Sequence, residues 1–448
     1  MSRPAKRRRT PDAARSVAFR VLRAVTGEGA YANLELARQR AGLGSTDAAF
    51  ATELVNGTCR GLGGYDRILE AAAGRPRNSF QPALWDVLRL GAHQLLGMRV
   101  PAHAAISASV DLAALQISER VAGVTNAVLR RVAEHDWPGW LDLLGAGTDA
   151  SDRLGLATQH PAWIVRAWAE VLPAAELEAA LLADNDAPQP CLVIRPGLAE
   201  VAELDGEPTR WSPYGAHRSG APATVPAVAQ GRAGVQDEGS QLMALALSRV
   251  AAPPGPWLDL CAGPGGKSAL LAGLAAKSGS RLVATELQEH RARLVAANLR
   301  GYEGQFRPVT VVADGTRAAT RPAAFSRVLA DVPCTGLGAL RRRPESRWRR
   351  RPEDLGELVP LQRRLLAAAI EAARPGGVIA YVTCSPHPEE TAAVVADAHG
   401  ATVLDAAAHL PEVPDAAAGS LVQLWPHRHG TDAMFLALLR REGGPADR

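Results

Sequence analysis

From Ala13 to Val25 the apolar residues Val17, Val21, Leu22 and Val25 recur at three- and four-residue steps. That repeat turns one face of a helix toward a core. It returns from Leu84 to Leu96, from about Ala104 to Leu115 behind Pro101, and from Val121 to Val132. Ser45-Thr46-Asp47 offers side-chain caps to a helix carrying Phe50, Leu54 and Val55. Residues 12–135 therefore read as a helical bundle, an architecture that hosts many functions. The pattern then blurs. Asp136 to Asp152, with Gly139, Gly145 and Gly147, reads as a domain junction. Residues 153–230 mix a helix around Pro161 to Val171 with a strand-like run from Cys191 to Arg195, and end in a Pro- and Gly-rich stretch. Cys191 fits that run as a small buried hydrophobe.

Beyond Gly234 the period changes. Gly234-Val235-Gln236-Asp237-Glu238-Gly239-Ser240-Gln241 leads into a helix at Leu242 to Val250. Short apolar runs follow at Trp257–Cys261, Arg281–Glu286, Val309–Ala313, Val328–Ala330 and Val378–Thr383. Helical stretches such as Leu361 to Ala373 separate them. This alternation implies a parallel sheet whose carboxyl ends share one rim. The expected fold class is multi-domain: an all-α bundle followed by a Rossmann-like α/β domain.

Composition narrows the field modestly. At 448 residues, 47% hydrophobic and 21% charged, the chain has the make-up of a globular protein of two or three domains. A net charge of +4 and a pI near 8.9 allow a polyanionic partner without demanding one. Lysine occurs three times, at Lys6, Lys267 and Lys277, so the positive charge is nearly all arginine. Cys59, Cys191, Cys261, Cys334 and Cys384 are scattered without a C-x-x-C pair. That spacing disfavours a disulfide framework or a zinc site and fits a reducing cytoplasm. No apolar stretch reaches membrane-spanning length, and no secretory signal opens the chain. The expectation is a cytoplasmic monomer without metal or membrane partner. Arg3, Lys6, Arg7, Arg8 and Arg9 form a basic arm, read as a solvated terminus in preference to a nucleic-acid contact.

The chemistry gathers on the rim. Gly263, Pro264, Gly265 and Gly266 make a turn between a strand and the helix opened by Ser268, the build of a nucleotide-type cradle. It is neither a phosphate-loop motif nor a clean G-x-G-x-x-G. Glu286 ends the next strand, placed to accept bonds from both hydroxyls of a ribose. Asp314 follows the third strand and could hold an adenine amino group, and Asp331-Val332-Pro333-Cys334 and Cys384-Ser385-Pro386 follow the fourth and fifth. Cysteines near strand ends are usually inert core residues, and Cys261, on its core strand, is read that way. A pair on one rim suits a specific reaction. A thiolate that adds to carbon 6 of a pyrimidine makes carbon 5 nucleophilic enough to accept a methyl group. An adjacent Asp can stabilise charge on the ring nitrogens. Arg341, Arg342, Arg343, Arg347, Arg349, Arg350 and Arg351 follow the Cys334 turn with Trp348 among them. Their density favours phosphate contact, with Trp348 stacking or packing.

Leu88-Arg89-Leu90-Gly91-Ala92-His93-Gln94-Leu95-Leu96, Val100-Pro101-Ala102-His103-Ala104-Ala105-Ile106 and Gly123-Val124-Thr125-Asn126-Ala127-Val128-Leu129-Arg130-Arg131 resemble the NusB-type RNA-binding domain. The resemblance implies RNA contact, with Arg89, Arg130 and Arg131 as candidates against a solvated-face alternative. His103 and Asn126 are read as capping and packing groups. Residues 234–440 resemble the RNA cytosine-5 methyltransferases of the NOL1/NOP2/Sun family, and with the bundle in front the chain looks like its Sun branch. The matching stretches are Leu258-Asp259-Leu260-Cys261-Ala262-Gly263-Pro264-Gly265-Gly266-Lys267, Asp331-Val332-Pro333-Cys334-Thr335-Gly336-Leu337-Gly338, and Thr383-Cys384-Ser385 with Glu389-Glu390. Asp-Val-Pro-Cys stands where the family usually has Asp-Ala-Pro-Cys.

That resemblance implies a class I methyltransferase domain. S-adenosylmethionine would be held by Cys261, Ala262, Gly263, Pro264, Gly265, Gly266, Lys267, Glu286, Asp314 and Asp331. It also implies Cys384 as nucleophile, Cys334 as the residue assisting product release, and small-subunit ribosomal RNA as substrate. The expected domains are residues 1–140 NusB-like, 141–232 connecting, and 233–448 methyltransferase. Two alternatives stay open: the same chemistry on transfer RNA, and an RNA-binding or antitermination scaffold whose methyltransferase domain is inactive.

Overall fold

A computed structural model describes residues 12–317 and 321–443, so the basic arm from Arg3 to Arg9 lies outside the described residues. The chain forms two compact units. The first is helical. It runs through Ala169, resumes at Pro173–Asn185, and takes in the distant segment Leu340–Arg350.

Its helices are α1 (Ala13–Gly27), α2 (Ala32–Gln39), α3 (Ser45–Arg60), α4 (Leu62–Ala73), α5 (Pro82–Leu96), α6 (Ala102–Gln116), α7 (Ala122–Val132), α8 (Trp137–Gly145), α9 (Ala150–Thr158), α10 (Ala162–Ala169) and α11 (Ala174–Ala183). The apolar face expected of α1 is the buried one, and Asp12 caps it by accepting from the Arg15 N–H. At α3 the cap position falls on Gly44 without a side-chain bond, so Ser45, Thr46 and Asp47 form the first turn instead. Asp136 to Asp152 is folded into helices and their caps. Asp136 and Asp149 cap α8 and α9, and the helical unit continues beyond them. Sequence alone could not separate a capped helix start from a linker, because Asp and Gly serve both.

The helical unit also corrects several arginines. Arg89 is buried, with Nε and Nη2 on the Asp66 carboxylate at 2.6 and 2.5 Å and Nη1 on Asp86 at 2.9 Å, so it is a core ion pair and not an RNA contact. Arg130 and Arg131 are exposed on α7, and Arg131 also donates to the Ala72 carbonyl. In the Leu340–Arg350 segment, Arg347 is fully buried and donates to Asn185 Oδ1 at 2.6 Å and to the Gln159 carbonyl at 2.9 Å, beside Asp184 at 3.4 Å. Arg349 donates to the carbonyls of Val25, Gly29 and Ala30, and Arg343 stacks on Tyr31. Trp348 bonds the Arg60 carbonyl at 2.9 Å and packs on Gly63, where a Cβ would lie 2.1 Å from its ring. Arg347 and Arg349 are therefore packing groups and not the expected phosphate contacts, Trp348 takes the packing role of the two expected for it, and Arg343 stays exposed.

The second unit holds Asp186–Ala339 and Arg351–Arg448, together with Glu170–Leu172. A small antiparallel sheet comes first, from β1 (Cys191–Ile194), β2 (Glu207–Pro208), β3 (Gly215–His217) and β4 (Ala233–Val235), in the order β2-β3-β1-β4. Cys191 is buried in it, as expected.

Among the described residues the main sheet has nine strands: β5 (Trp257–Asp259), β6 (Leu282–Glu286), β7 (Val309–Val312), β8 (Phe325–Asp331), β9 (Ala373–Thr383), β10 (Ala401–Leu404), β11 (Ala417–Ala418), β12 (Leu421–Gln423) and β13 (Phe435–Arg441). The order is β11-β12-β13-β9-β8-β5-β6-β7, with β10 also on β13. β5 to β9 pair in parallel as the alternation implied, whereas the last four strands are antiparallel. The strand–helix period gives no warning of them, because short connections replace crossover helices. Helices Glu238–Arg249 and Gly266–Lys277 cover one face of the sheet and Leu355–Ala372 covers the other. Each face has its own apolar core: Trp257 faces the first and Leu258 the second, the two-residue alternation of a strand buried on both sides.

Candidate active site

Every rim residue singled out from the sequence lies at or just beyond the carboxyl end of β5, β6, β7, β8 or β9. The turn after β5 is shaped by what surrounds it. A Cβ on Gly263 would come within 2.2 Å of Glu286 Oε2, and one on Gly265, at φ +112°, within 3.0 Å of the Val295 backbone. Glu286 Oε2 accepts from the Gly263 N–H and Oε1 from the Gln288 N–H, each at 3.0 Å. Arg291 donates to the Gly263 carbonyl at 2.6 Å, and Asn298 to that of Pro264 at 2.9 Å. Neither Arg291 nor Asn298 was singled out from the sequence. Both sit on a helix, where their spacing looks like any solvated face.

Asp259 was also passed over. It is buried at the end of β5 and accepts from Ser268 Oγ at 2.6 Å, and burial pushes its carboxyl up to about 7. Cys261, next in line, is partly exposed, and burial of the thiol moves it upward, away from the thiolate. Asp314 is more open. Its Oδ1 accepts from the Thr316 N–H and hydroxyl at 2.9 and 2.7 Å, which holds the carboxyl below its ordinary range.

The two rim cysteines meet. Cys334 Sγ and Cys384 Sγ are 3.5 Å apart. Their mutual hydrogen bond pushes Cys334 well up and Cys384 down, so Cys384 is the sulfur that ionises first. The nearby Lys267 ammonium works in the same direction on Cys384. Lys267 Nζ is bound to Asp331 Oδ2 at 2.9 Å; burial is the largest influence and would lower its pKa, but the charge and hydrogen bond of Asp331, with the charges of Cys384 and Asp259, together keep it raised.

Two loops are stitched together to hold that geometry. The Gly338 N–H donates to the Cys384 carbonyl, and its own carbonyl accepts from the Ala433 N–H, both at 2.8 Å. The hydroxyls of Thr335 and Ser385 are 3.1 Å apart. Beneath them the buried Glu390 receives the Thr335 N–H and hydroxyl and the Gln362 amide, while Gln362 also donates to the Pro333 carbonyl. Gln362 lay in a plain amphipathic stretch and carried no signal of this role.

One rim thus offers an acidic clamp on a glycine turn, a paired cation and carboxylate, and an ionisable thiol backed by a second thiol. A cradle, a charge pair and a nucleophile are what group transfer from a nucleoside-like donor requires. Among the described residues no cluster of three or more His, Cys, Asp or Glu could hold a metal ion, and no helix is long and apolar enough to cross a membrane.

Comparison with known proteins agrees with this picture. Residues 247–440 match the 16S rRNA methyltransferase RsmB/F family model, and residues 12–134 match the NusB family. A putative methyltransferase of Mycobacterium tuberculosis (strain H37Rv) is 48% identical, over 97% of this chain and 98% of its own. A probable ribosomal RNA small subunit methyltransferase B of Synechocystis is 30% identical, over 96% and 99%. In fold, the chain is similar to the crystal structure of PH0851, with a TM-score of 0.77 at 21% identity, covering 97% of this chain and all of that one. With the rim geometry and these full-length relatives in agreement, the chain belongs to the RsmB/F family of 16S rRNA methyltransferases and carries a NusB-family domain at its amino-terminal end.

Proposed function

We propose that this methyltransferase moves a methyl group to carbon 5 of a cytidine in small-subunit ribosomal RNA, with Cys384 as the covalent nucleophile. The single observation that carries the reading is the 3.5 Å approach of Cys334 to Cys384, with opposite shifts of the two thiols. S-adenosylmethionine is the family's methyl donor; when bound, it supplies an electrophilic methyl carbon on a sulfonium. The residues present fit it. Glu286 is clamped on the glycine turn, where it can meet ribose hydroxyls, and Cβ-free Gly263 and Gly265 leave the backbone open to close approach.

Cys384 thiolate adds to carbon 6 of the cytosine, and the carbon 5–carbon 6 electron pair becomes available at carbon 5. Lys267 and Asp331, bonded to each other on the same rim, hold the base and balance charge on its ring nitrogens in this reading. Bonding Cys384 to carbon 6 removes the hydrogen bond and charge that hold Cys334 protonated. Once carbon 5 carries the methyl group, Cys334, its own proton passed to water, takes the carbon 5 proton and leaves that bond's electrons behind. Those electrons restore the ring double bond as the Cys384–carbon 6 bond breaks. The base must be turned out of its stack to expose both faces.

RNA recruitment by the NusB-like helical unit completes the proposal, with a cytoplasmic location for the whole reaction. Replacing Arg130 and Arg131, exposed on α7, by Glu should weaken RNA binding and spare donor binding.

Incubating each cysteine variant with small-subunit ribosomal RNA and S-adenosylmethionine tests the roles. Cys334→Ala should accumulate a covalent protein–RNA adduct on a denaturing gel, and Cys384→Ala should form none. An adduct with Cys384→Ala would overturn the assignment. Bisulfite sequencing of ribosomal and transfer RNA from a deletion strain identifies the substrate.

A further inference from the structure

Gln236 lies between β4 and the helix Glu238–Arg249. Its backbone is held on both sides: the N–H donates to the Cys191 carbonyl at 3.0 Å, and the carbonyl accepts from Gln241 Nε2 at 3.1 Å. The side chain is another matter. The residue is 8% exposed, yet among the described residues neither Oε1 nor Nε2 has a partner. A buried primary amide left unpaired is costly and rare, and marks a place where a bound group completes the bonding.

The amide faces the glycine turn. Its Cδ and Nε2 lie 3.7 and 3.9 Å from where a Cβ would project from Gly266. Gly266 is the first residue of the helix Gly266–Lys277, whose leading N–H groups have no partners within the helix and present a positive pole. Glu286 grips the opposite end of the same turn, at Gly263. A donor with its ribose at Glu286 therefore extends its amino-acid end toward Gly266 and Gln236.

We propose that Gln236 holds the amino-acid end of S-adenosylmethionine, Nε2 donating to the α-carboxylate and Oε1 accepting from the α-ammonium. The proposal rests on the reading of the glycine turn as the donor cradle. A primary amide is the neutral side chain with a donor and an acceptor side by side, which matches a zwitterion better than a phosphate, where the acceptor would face another acceptor. The helix pole favours the carboxylate at the same place.

The test is equilibrium binding to full-length protein, by calorimetry, of S-adenosylmethionine, S-adenosylhomocysteine and 5′-methylthioadenosine, which lacks the amino-acid end. Gln236→Met keeps the length and removes both polar atoms. It should weaken the first two ligands by about tenfold or more, the scale of a lost hydrogen bond to a charged group. Binding of 5′-methylthioadenosine should stay within about twofold. The unfolding temperature of the ligand-free variant should not fall, since an unpaired amide has been removed. Undiminished S-adenosylmethionine affinity, or an equal loss for 5′-methylthioadenosine, overturns the assignment. Glu286→Gln is the reference: it should weaken all three ligands. If it leaves 5′-methylthioadenosine untouched, the cradle reading itself fails, whatever Gln236 does.

Discussion

Glu390 Oε1 accepts the backbone N–H of Thr335 at 2.8 Å, although the two residues lie 55 positions apart. The bond joins the loop after β8 to the loop after β9, and these are the loops that carry Cys334 and Cys384. Glu390 is fully buried and also takes up the Thr335 hydroxyl and the Gln362 amide. Replacing it by Ala leaves the Thr335 N–H buried and unpaired, while the Thr335 hydroxyl and the Gln362 amide keep only Ser385 and the Pro333 carbonyl. We expect Glu390→Ala to lose about 1–3 kcal/mol of stability in urea titration. Methyl transfer should fall further than stability explains, because the Cys334 loop loses its floor.

Gly338 sits where the same loops touch. A Cβ there would lie 2.0 Å from the Ala433 carbonyl oxygen, which is backbone and cannot swing aside. Gly338→Ala should force the Cys334 loop outward, at a cost of roughly 1–3 kcal/mol. Cysteine accessibility gives the check: Cys334 should label faster with a maleimide in the variant than in the wild type.

The thiol pair makes a chemical prediction. Cys384 is lowered chiefly by the hydrogen bond from Cys334. Cys334→Ala removes that donor, so the alkylation rate of Cys384 by iodoacetamide should rise with pH along a curve displaced to higher pH. Peptide mass spectrometry after timed quenching reads the rate at each pH. An unmoved curve would mean that Lys267 and burial set the thiol's acidity without Cys334.

Arg347 carries the insertion into the helical unit. It is fully buried with Asp184 beside Nη2, and Asn185 and the Gln159 carbonyl share Nη1. Arg347→Met leaves the Asp184 charge buried without its cation, which we expect to cost about 3–5 kcal/mol. Thermal unfolding followed by circular dichroism should show the helical unit melting earlier.

His160 adds a pH dependence to the same cluster. Burial, reinforced by the Arg347 charge, lowers it from 6.5 to about 4, although its Nε2 lies 3.2 Å from Asp184. The folded state therefore binds fewer protons than the unfolded state between those two values. Stability from this residue is full above pH 6.5, falls as pH drops below it, and is lost by about pH 4. His160→Asn should flatten that part of the stability–pH curve, measured by urea titration at a series of pH values.

How much of this was legible beforehand follows from the range of the interactions. Helix faces, buried strands and the glycine turn are local: period, apolar runs and a missing Cβ announce them within a dozen residues. Glu286, Asp331, Cys334 and Cys384 were legible for the same reason, since each ends an apolar run and a parallel sheet sends all such ends to one rim. The β10–β13 strands went unread because their short connections leave no strand–helix alternation to follow, and at the Asp-capped helices after Asp136 the local signal has two meanings.

What tertiary structure decided is which polar groups find each other. Arg89 and Arg347 are indistinguishable in sequence from surface arginines; Asp66, Asp86 and Asp184 make them core. Gln236, Gln362 and Glu390 are ordinary helix-edge residues until the fold buries them, one with its amide unpaired against the glycine turn and two beneath the thiol loops. The sequence by itself determined the elements, the rim and the presence of two cysteines on it. Only folding decided that those thiols meet at 3.5 Å and which of them ionises, because a pKa depends on burial and neighbouring charge, and neither is written in the order of residues.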